Sequence, residues 1–335
     1  MEFMISIAAA CATTSIIFAP PAHAAVARSY KTATPIIQGQ DFPDPGLIRT
    51  DNGWHAFATT SRVKGKDIHV QMASSPDFKQ WTYHSGQDPL TNLPSWVDAA
   101  NPQVWAPEVS RLDDGSFIMY YTAALKSNPR LHCVSFATSK DVNGPYVDST
   151  TQPWTCDVRT GGTIDPSGYK DADGTRWVVY KIDGNALGHG GACMNSVHPI
   201  VSTPIMLQQV SAADGHTKIG EPIKLLTNGP HDGPVVEAPV LTKLGSKYVL
   251  FFSSNCFATP LYDSSYAIAT DIKGPYTKYG PLFVTGDLGL TAPGGLSIAT
   301  NGNHAIWHGD YKGSRAAYTA LLALDGNRVT VSNVS

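Results

Sequence analysis

The stretch DFPDPGLI at residues 41–48 places two carboxylates among two prolines, directly before an apolar segment. Proline fixes its own φ and biases the preceding residue toward extended backbone, so we expect this stretch to hold its carboxylates stiffly. An acid beside a proline returns three times, as WAPEV at 105–109, IDPSG at 164–168 and VEAPV at 236–240. One such dipeptide is an ordinary turn. Four of them at similar spacing indicate an internal repeat.

Each of these stretches precedes a run of short strand-like segments. Segments 46–50 and 54–60 flank the turn Asp51-Asn52-Gly53, which is a typical hairpin connection. Comparable hairpins begin near residues 109, 168, 240 and 295, and a lead-in strand is expected at 34–38. Five units of about 55–75 residues, each with about four strands, predict an all-β fold, a five-bladed β-propeller. A two-sheet sandwich of similar strand number is the alternative.

Composition limits the classes of partner. The chain has 335 residues, of which 42% are hydrophobic, and a formal net charge of -3. That charge gives no electrostatic reason to expect a nucleic acid or an acidic membrane as partner. The 24 prolines and 30 glycines indicate many turns, which favours short strands over long helices.

The N-terminus resembles a secretory signal peptide. Residues 5–18 are apolar or small, and Ala22-His23-Ala24 fits a small-residue cleavage site. The apolar run is too short to span a bilayer. We therefore expect a signal peptide at 1–24, one catalytic propeller domain at 25–335, and a secreted, extracellular protein.

The cysteines fit an oxidising compartment. Cys11 lies in the expected signal peptide, which leaves four cysteines, an even number. We prefer the pairs Cys133–Cys156 and Cys193–Cys256, although the sequence leaves the connectivity open. A zinc site is the weaker interpretation, because no two cysteines have short ligand spacing.

Three carboxylates are expected to meet at one end of the propeller. The innermost strand of each blade lines the central axis, and the acid-proline stretches precede those strands. Asp44, Asp165 and Glu237 would then converge on one funnel. Carboxylates brought together in this way either bind a hard cation or carry out acid–base chemistry.

Taken together, these four stretches resemble the motifs of glycoside hydrolase family 43, in order and over nearly the whole mature chain. The resemblance implies a five-bladed propeller that hydrolyses arabinose- and xylose-containing polysaccharides with inversion. It implies Asp44 as general base, Glu237 as general acid, and Asp165 as the residue that orients the acid and raises its pKa. An inverting enzyme needs this combination of a protonated acid and a carboxylate that activates water.

Further roles follow from position. Trp105 and Phe42 are expected to bind the sugar, and Arg315 to reach its hydroxyl groups by resemblance to the family's last blade. His308 is expected to hold a structural calcium or sodium ion at the axis, although a lone histidine on an apolar strand is more often a core residue. No cofactor is expected for the chemistry itself. Asp41 is expected to cap a turn or contact a neighbouring residue.

The expected partner is a plant cell-wall polysaccharide or oligosaccharide such as arabinan, arabinoxylan or xylo-oligosaccharides, bound by a monomer. The long segment 185–204 is expected to border the pocket and favour exo-action, as an α-L-arabinofuranosidase, a β-1,4-xylosidase or both. An endo-1,5-α-L-arabinanase is the alternative, and a non-catalytic glycan-binding propeller is weaker. A related fructan-cleaving family is disfavoured because no Trp-Met-Asn run precedes Asp44.

Overall fold

The computed structural model describes residues 32–63, 65–300 and 302–335. The expected signal peptide at 1–24 lies outside these residues, and the assignment of one catalytic domain to 25–335 stays a prediction. Within the described residues, no helix has the length and apolar character needed to cross a membrane. No strand forms at 34–38, so the predicted lead-in strand is wrong.

The strands form five antiparallel blade sheets and one separate two-stranded hairpin, and the prediction of a five-bladed β-propeller is confirmed. The first blade contains β1 (Gly46–Thr50) and β2 (Gly53–Ala58), is interrupted by a separate hairpin of β3 (Ser61–Val63) and β4 (Lys66–Ile68), and ends with β5 (Gln71–Ser75) and β6 (Thr82–Tyr83). The second contains β7 (Trp105–Arg111), β8 (Phe117–Leu125) and β9 (Asn128–Ser139). The third contains β10 (Thr163–Lys170), β11 (Arg176–Ile182), β12 (Ile205–Val210) and β13 (Lys218–Leu226).

The two C-terminal blades are regular and have four strands each. The fourth contains β14 (Val236–Leu244), β15 (Lys247–Ser254), β16 (Asp263–Ala269) and β17 (Thr277–Phe283). The fifth contains β18 (Gly294–Ile298), β19 (His304–Tyr311), β20 (Ser314–Asp325) and β21 (Arg328–Ser332). Helical structure in the described residues is limited to the 3-10 turns Val158–Thr160, Gly184–Leu187, Ala192–Met194 and Asp287–Gly289.

Apolar side chains fill the space between neighbouring blades. Successive residues of a strand point to opposite faces of its sheet, and the second strands of the blades show this directly. On β8, Ile118 and Tyr120 pack against the third blade, whereas Met119 and Tyr121 pack against the first. Each blade is therefore covered on both faces, which explains its long apolar runs.

All five blades share one backbone irregularity next to the axis. A residue with positive φ occurs at Asp44, Ala106, Asp165, Ala238 and Gly295, with φ between 44° and 58°. In the last four blades this residue lies in a β-bulge, and in the first it lies two residues before β1. Bulges re-aim side chains at functional sites. Here they bring these five residues to a small axial cavity.

Candidate active site

A cavity of about 360 Å³ opens beside the axis, and the three predicted catalytic carboxylates all line it. Asp44 and Asp165 occupy the same bulge position, in the first and third blades. Glu237 lies one residue before that position in the fourth blade, opposite Ser253 of the neighbouring strand. The structure thus brings together side chains that are up to 193 residues apart in the sequence.

Asp44 is held from several sides. The Thr59 hydroxyl donates to its Oδ2 at 2.9 Å and accepts the backbone N–H of Ala106 at 3.1 Å, which fixes the direction of the hydroxyl. The Arg315 guanidinium lies 3.8 Å from the same carboxylate oxygen. About a fifth of the Asp44 side chain stays exposed, so it can meet a water molecule in the cavity.

His308 is completely enclosed below Asp44. Its Nδ1 accepts the backbone N–H of Asp44 at 3.0 Å, and burial lowers the pKa of its imidazole to about 4. The ring is therefore neutral near pH 7, and only Nε2 could bind an ion. Within the residues that the structure describes, no group of three or more His, Cys, Asp or Glu side chains could hold a metal.

Asp165 has a protonation state unlike that of a surface aspartate. Its Oδ2 accepts the backbone N–H of Ala238 at 2.8 Å, and its own N–H donates to Thr122 Oγ1 at 3.1 Å. Burial, and then the negative charge of Glu237, raises the pKa of Asp165 to about 8. Two carboxyl groups that interact in this way titrate as a pair, and the pair retains a proton at neutral pH.

Glu237 contacts a residue that the sequence interpretation missed. Lys181 on β11 is fully buried, and its Nζ lies 3.0 Å from Glu237 Oε2 and 3.1 Å from Asp183 Oδ1. These carboxylates raise the pKa of Lys181 despite its burial, so the ammonium is charged. A lysine in an apolar strand has no sequence signal of its own, because the contact with Glu237 spans 56 residues.

The aromatic wall of the cavity differs from the prediction. Trp105 lines the cavity as expected, and its indole stacks on the His132 ring at 3.8 Å between centroids. Phe42 does not line it. Its side chain is 0% exposed and packs edge-on against Tyr83 in the core between the first and fifth blades. The prediction of Phe42 as a sugar-binding residue is wrong, because a fully enclosed ring cannot touch a sugar.

Arg315 reaches the cavity from the fifth blade. Its guanidinium lies over the ring of Phe257 at 5.6 Å, and both residues line the cavity. Its backbone N–H donates to Asp41 Oδ1 at 2.7 Å. Asp41 therefore anchors the start of β20, which agrees with its expected supporting role.

The segment after β11 borders the cavity. Asn185, Ala186, Cys193 and Met194 contribute to its lining. The Cys193–Cys256 disulfide ties this segment to the loop after β15, and Cys133–Cys156 ties β9 to the loop that follows. Both preferred pairings are present. The Cys193–Cys256 disulfide places a covalent link at the rim of the cavity.

The comparisons with known proteins agree with this architecture. The model of Glycosyl hydrolases family 43 matches residues 32–325. An extracellular endo-alpha-(1->5)-L-arabinanase of Thermotoga petrophila is 29% identical over 165 residues, which cover 41% of this chain and 33% of that protein. An extracellular endo-alpha-(1->5)-L-arabinanase 2 of Bacillus subtilis is 27% identical over 171 residues, or 44% and 34% of the two chains. The matches thus span about a third of the length of these curated relatives.

A solved structure shows the same fold over most of its length. The crystal structure of a thermostable family-43 glycoside hydrolase superposes with a TM-score of 0.73 at 22% identity, covering 90% of this chain and 96% of that one. At this identity the likeness concerns the fold alone.

Proposed function

The chain belongs to glycosyl hydrolase family 43, and from this premise we propose that it is an inverting, exo-acting pentosidase, an α-L-arabinofuranosidase, a β-1,4-xylosidase or both. The observation that supports this most is the meeting of Asp44, Asp165 and Glu237 in one cavity, where burial and the charge of Glu237 raise the pKa of Asp165. Cleavage of a glycosidic bond with inversion needs one proton donor and one ionised carboxylate.

In the proposed mechanism Asp44 is the general base. An ionised Asp44, held by Thr59 and Arg315, takes a proton from a water molecule as that water attacks the anomeric carbon. Glu237 donates a proton to the departing glycosidic oxygen. The separation that inverting enzymes leave between base and acid, about 6.5–9.5 Å, makes room for the water.

Asp165 is proposed to act through Glu237. A negative charge on either carboxyl disfavours ionisation of the other, so the proton needed for departure of the leaving group stays in the pair. The hydrogen bond from the Ala238 N–H holds Asp165 next to the strand that carries Glu237.

The shape of the rim favours exo-action. The segment carrying Cys193 and Met194 borders one side of the cavity, and the disulfide to Cys256 restrains it. Beyond Phe257 and Arg315 the surface continues as a groove that includes Tyr311 and Asp310. We propose that a terminal pentose occupies the cavity and the remaining polysaccharide lies along the groove.

Substrate and mode of action are tested together. The protein is incubated with nitrophenyl arabinofuranoside, nitrophenyl xyloside and debranched linear arabinan, and the products are separated by chromatography. We expect single pentoses to dominate from the first minutes. Release of mainly long oligomers would support the second candidate, an endo-1,5-α-L-arabinanase, which is the activity for which the two relatives are named.

Substitution separates the roles of the carboxylates. Asp44→Ala, Asp165→Ala and Glu237→Ala should each lower kcat by about 10²–10⁴-fold while the protein stays folded. Glu237→Ala should recover activity on substrates whose leaving group departs without a proton, such as dinitrophenyl glycosides, whereas Asp44→Ala should not. Near-normal turnover of nitrophenyl pentosides by any of the three variants would exclude the role proposed for the substituted residue. Glycan binding by the unmodified protein without turnover would indicate a propeller that only binds glycans.

Secretion and ion binding are further parts of the proposal. The relatives are named extracellular, which supports export of this chain as well. An ion at His308 would be held through Nε2 and water molecules, and no step of the mechanism uses it. If such an ion stabilises the axis, EDTA lowers Tm and calcium restores it; an unchanged Tm would remove the ion from the proposal.

A further inference from the structure

Lys181 occupies a position at which the other four blades have a hydrogen-bond acceptor. In each blade one residue of the second strand, or directly after it, lies next to the bulge of the following blade. In four blades this side chain accepts the N–H of the positive-φ residue, through Thr59 to Ala106, Thr122 to Asp165, Ser253 to Gly295 and His308 to Asp44, at 2.9–3.1 Å. In the third blade the residue is Lys181, which has no acceptor atom.

The neighbouring groups have rearranged around this lysine. The Ala238 N–H, which the side chain at position 181 would otherwise accept, donates to Asp165 instead. The freed ammonium contacts Glu237 and Asp183. Burial of a lysine carries a desolvation penalty that its contacts with carboxylates must offset. The third blade thus lacks the acceptor that the other blades have, at a position beside a proposed catalytic acid. Such a local departure from the repeated pattern indicates a functional reason.

We propose that Lys181 is a positioning residue for the acid, which fixes the oxygen of Glu237 that carries the proton and, with Asp183, sets the pH at which that proton is lost. This inference rests on the proposed function of Glu237. An ammonium can only donate, so the Oε2 that faces it at 3.0 Å must accept. The proton is thereby confined to Oε1, and the acid has one productive orientation.

The charges around Glu237 act on this proton in opposite directions. Lys181 favours its loss, because a cation stabilises the carboxylate. Asp165 on β10 and Asp44 before β1 favour its retention, and Tyr262 in the loop before β16 stays neutral because burial and Glu237 raise the pKa of its phenol. Asp183 acts by neutralising Lys181, whose Nζ lies 3.1 Å from its Oδ1.

Two substitutions should therefore shift the pH profile in opposite directions. In Lys181→Met the basic limb of kcat/KM should move up by about one pH unit, and kcat should fall about 10- to 100-fold because the carboxyl group loses its fixed orientation. In Asp183→Asn the uncompensated lysine should move the same limb down. The substrate is a nitrophenyl pentoside on which the unmodified protein is active.

A matched control and a second readout complete the test. Lys243 lies at the far end of β14, 4.0 Å from Asp171, and Lys243→Met should leave the limb in place. Spectra of 13C-labelled glutamate carboxyl groups, with the Glu237 signal identified by its loss in Glu237→Gln, should show the same shifts without turnover. Asp183→Asn carries the test if Lys181→Met does not fold.

Lys181 would have a structural role only if neither the basic limb of kcat/KM nor the Glu237 carboxyl signal shifted. The same conclusion would follow if both substitutions shifted them in the same direction. This result differs from a failure of the proposed function. In that case the unmodified protein would turn over no pentoside, while the carboxyl signals would still report whether Lys181 and Asp183 have opposite effects on Glu237.

Discussion

The bulge position shows how one backbone conformation supports different side chains. Asp44 and Asp165 use it to present carboxylates to the cavity. Ala106 and Ala238 occupy it with φ of 44° and 49° and present only a methyl group. In the fifth blade it is Gly295, with φ of 58°. Since alanine adopts this conformation in two blades, backbone strain does not explain the glycine. Its neighbours do, because a Cβ there would lie 2.7 Å from His308 Nδ1 and 2.9 Å from Asp44 Oδ1.

Gly295→Ala should therefore impair catalysis more than folding. The added methyl group displaces Asp44 or His308, and misplacement of a catalytic group by about 1 Å can cost roughly 10²-fold in rate. We expect kcat to fall by at least about 10-fold with a small change in Tm. Gly245→Ala is the matched control, since Gly245 has a φ of 63° and open space around it. Equal activity of the two variants would contradict this explanation.

The sequence predicted the three carboxylates because each lies within two residues of a proline in a repeated pattern. It could not distinguish the environments of Phe42 and Trp105, since both are aromatic residues near such a proline. Which one faces the sugar depends on how the first and fifth blades pack together. Lys181 and His132 were missed for a similar reason, because their importance comes from contacts across blades.

At the scale of elements, the hairpins with strong turn signals were predicted well, and the outer strands less well. The strand β13 was missed because it has five exposed residues in succession from Lys218. The strand β21 was missed although Val329 and Val331 alternate with polar residues, because it has only five residues. The repeat predicts about four strands in each blade, and in the second blade the segment Gly144-Pro145-Tyr146-Val147 is the sequence's candidate for the fourth. The structure has only an isolated bridge between Val147 and Thr138, so this prediction was wrong. The cis peptide bond between Gly144 and Pro145 lies within that segment.

The rim segment provides a prediction at this scale. Replacing Cys193 and Cys256 by serine removes the restraint on the side of the cavity that holds Met194. We expect KM for arabinan oligomers to rise several-fold and longer products to appear, because the rim can move away. The matched double serine variant at Cys133 and Cys156 should lower stability by about 2–4 kcal/mol without changing the product pattern. Chromatography and chemical denaturation measure the two effects, and identical product patterns would oppose a role of the rim in exo-action.

At the scale of the molecule, the ring is closed by contacts between the beginning and end of the described chain. The backbone N–H groups of Ala33, Ile36 and Phe42 donate to Leu288, Ala317 and Arg315 at 2.8–2.9 Å. The first blade begins at Gly46 and the fifth ends at Ser332, so these bonds and the core around Phe42 join segments far apart in sequence. Closure thus depends on side-chain packing as well as on the backbone.

Phe42→Ala tests this view of closure. Removal of a fully buried phenylalanine should cost about 3–5 kcal/mol in the free energy of unfolding. Phe257→Ala is the comparison, because Phe257 is 47% exposed and its removal should change stability little but raise KM. Denaturation curves and kinetics of both variants distinguish core from site. Unchanged stability of Phe42→Ala would contradict a role of Phe42 in closing the ring.

The axis joins three blades through one buried carboxyl group, which makes the stability of the ring dependent on pH. Ser297 Oγ of the fifth blade donates to Glu108 of the second and accepts the Leu47 N–H of the first at 3.1 Å. Burial raises the pKa of Glu108 from 4.5 to about 8, since water is excluded from its charged form. A carboxyl group whose pKa is higher in the folded state contributes stability below pH 4.5, and that contribution is lost as pH rises toward 8.

Glu108→Gln keeps the shape and the hydrogen bonds of this group but cannot ionise. The free energy of unfolding of the unmodified protein should therefore fall relative to the variant between pH 5 and pH 8, by at most about 1.4 kcal/mol per pH unit. Chemical denaturation at four pH values in this range measures the difference. Glu221→Gln, at an exposed glutamate of β13, should give a curve parallel to that of the unmodified protein. If Glu108→Gln is also parallel, the axial carboxyl group is ionised in the folded ring, and water must reach it from the cavity that it shares with Asp44 and Asp165.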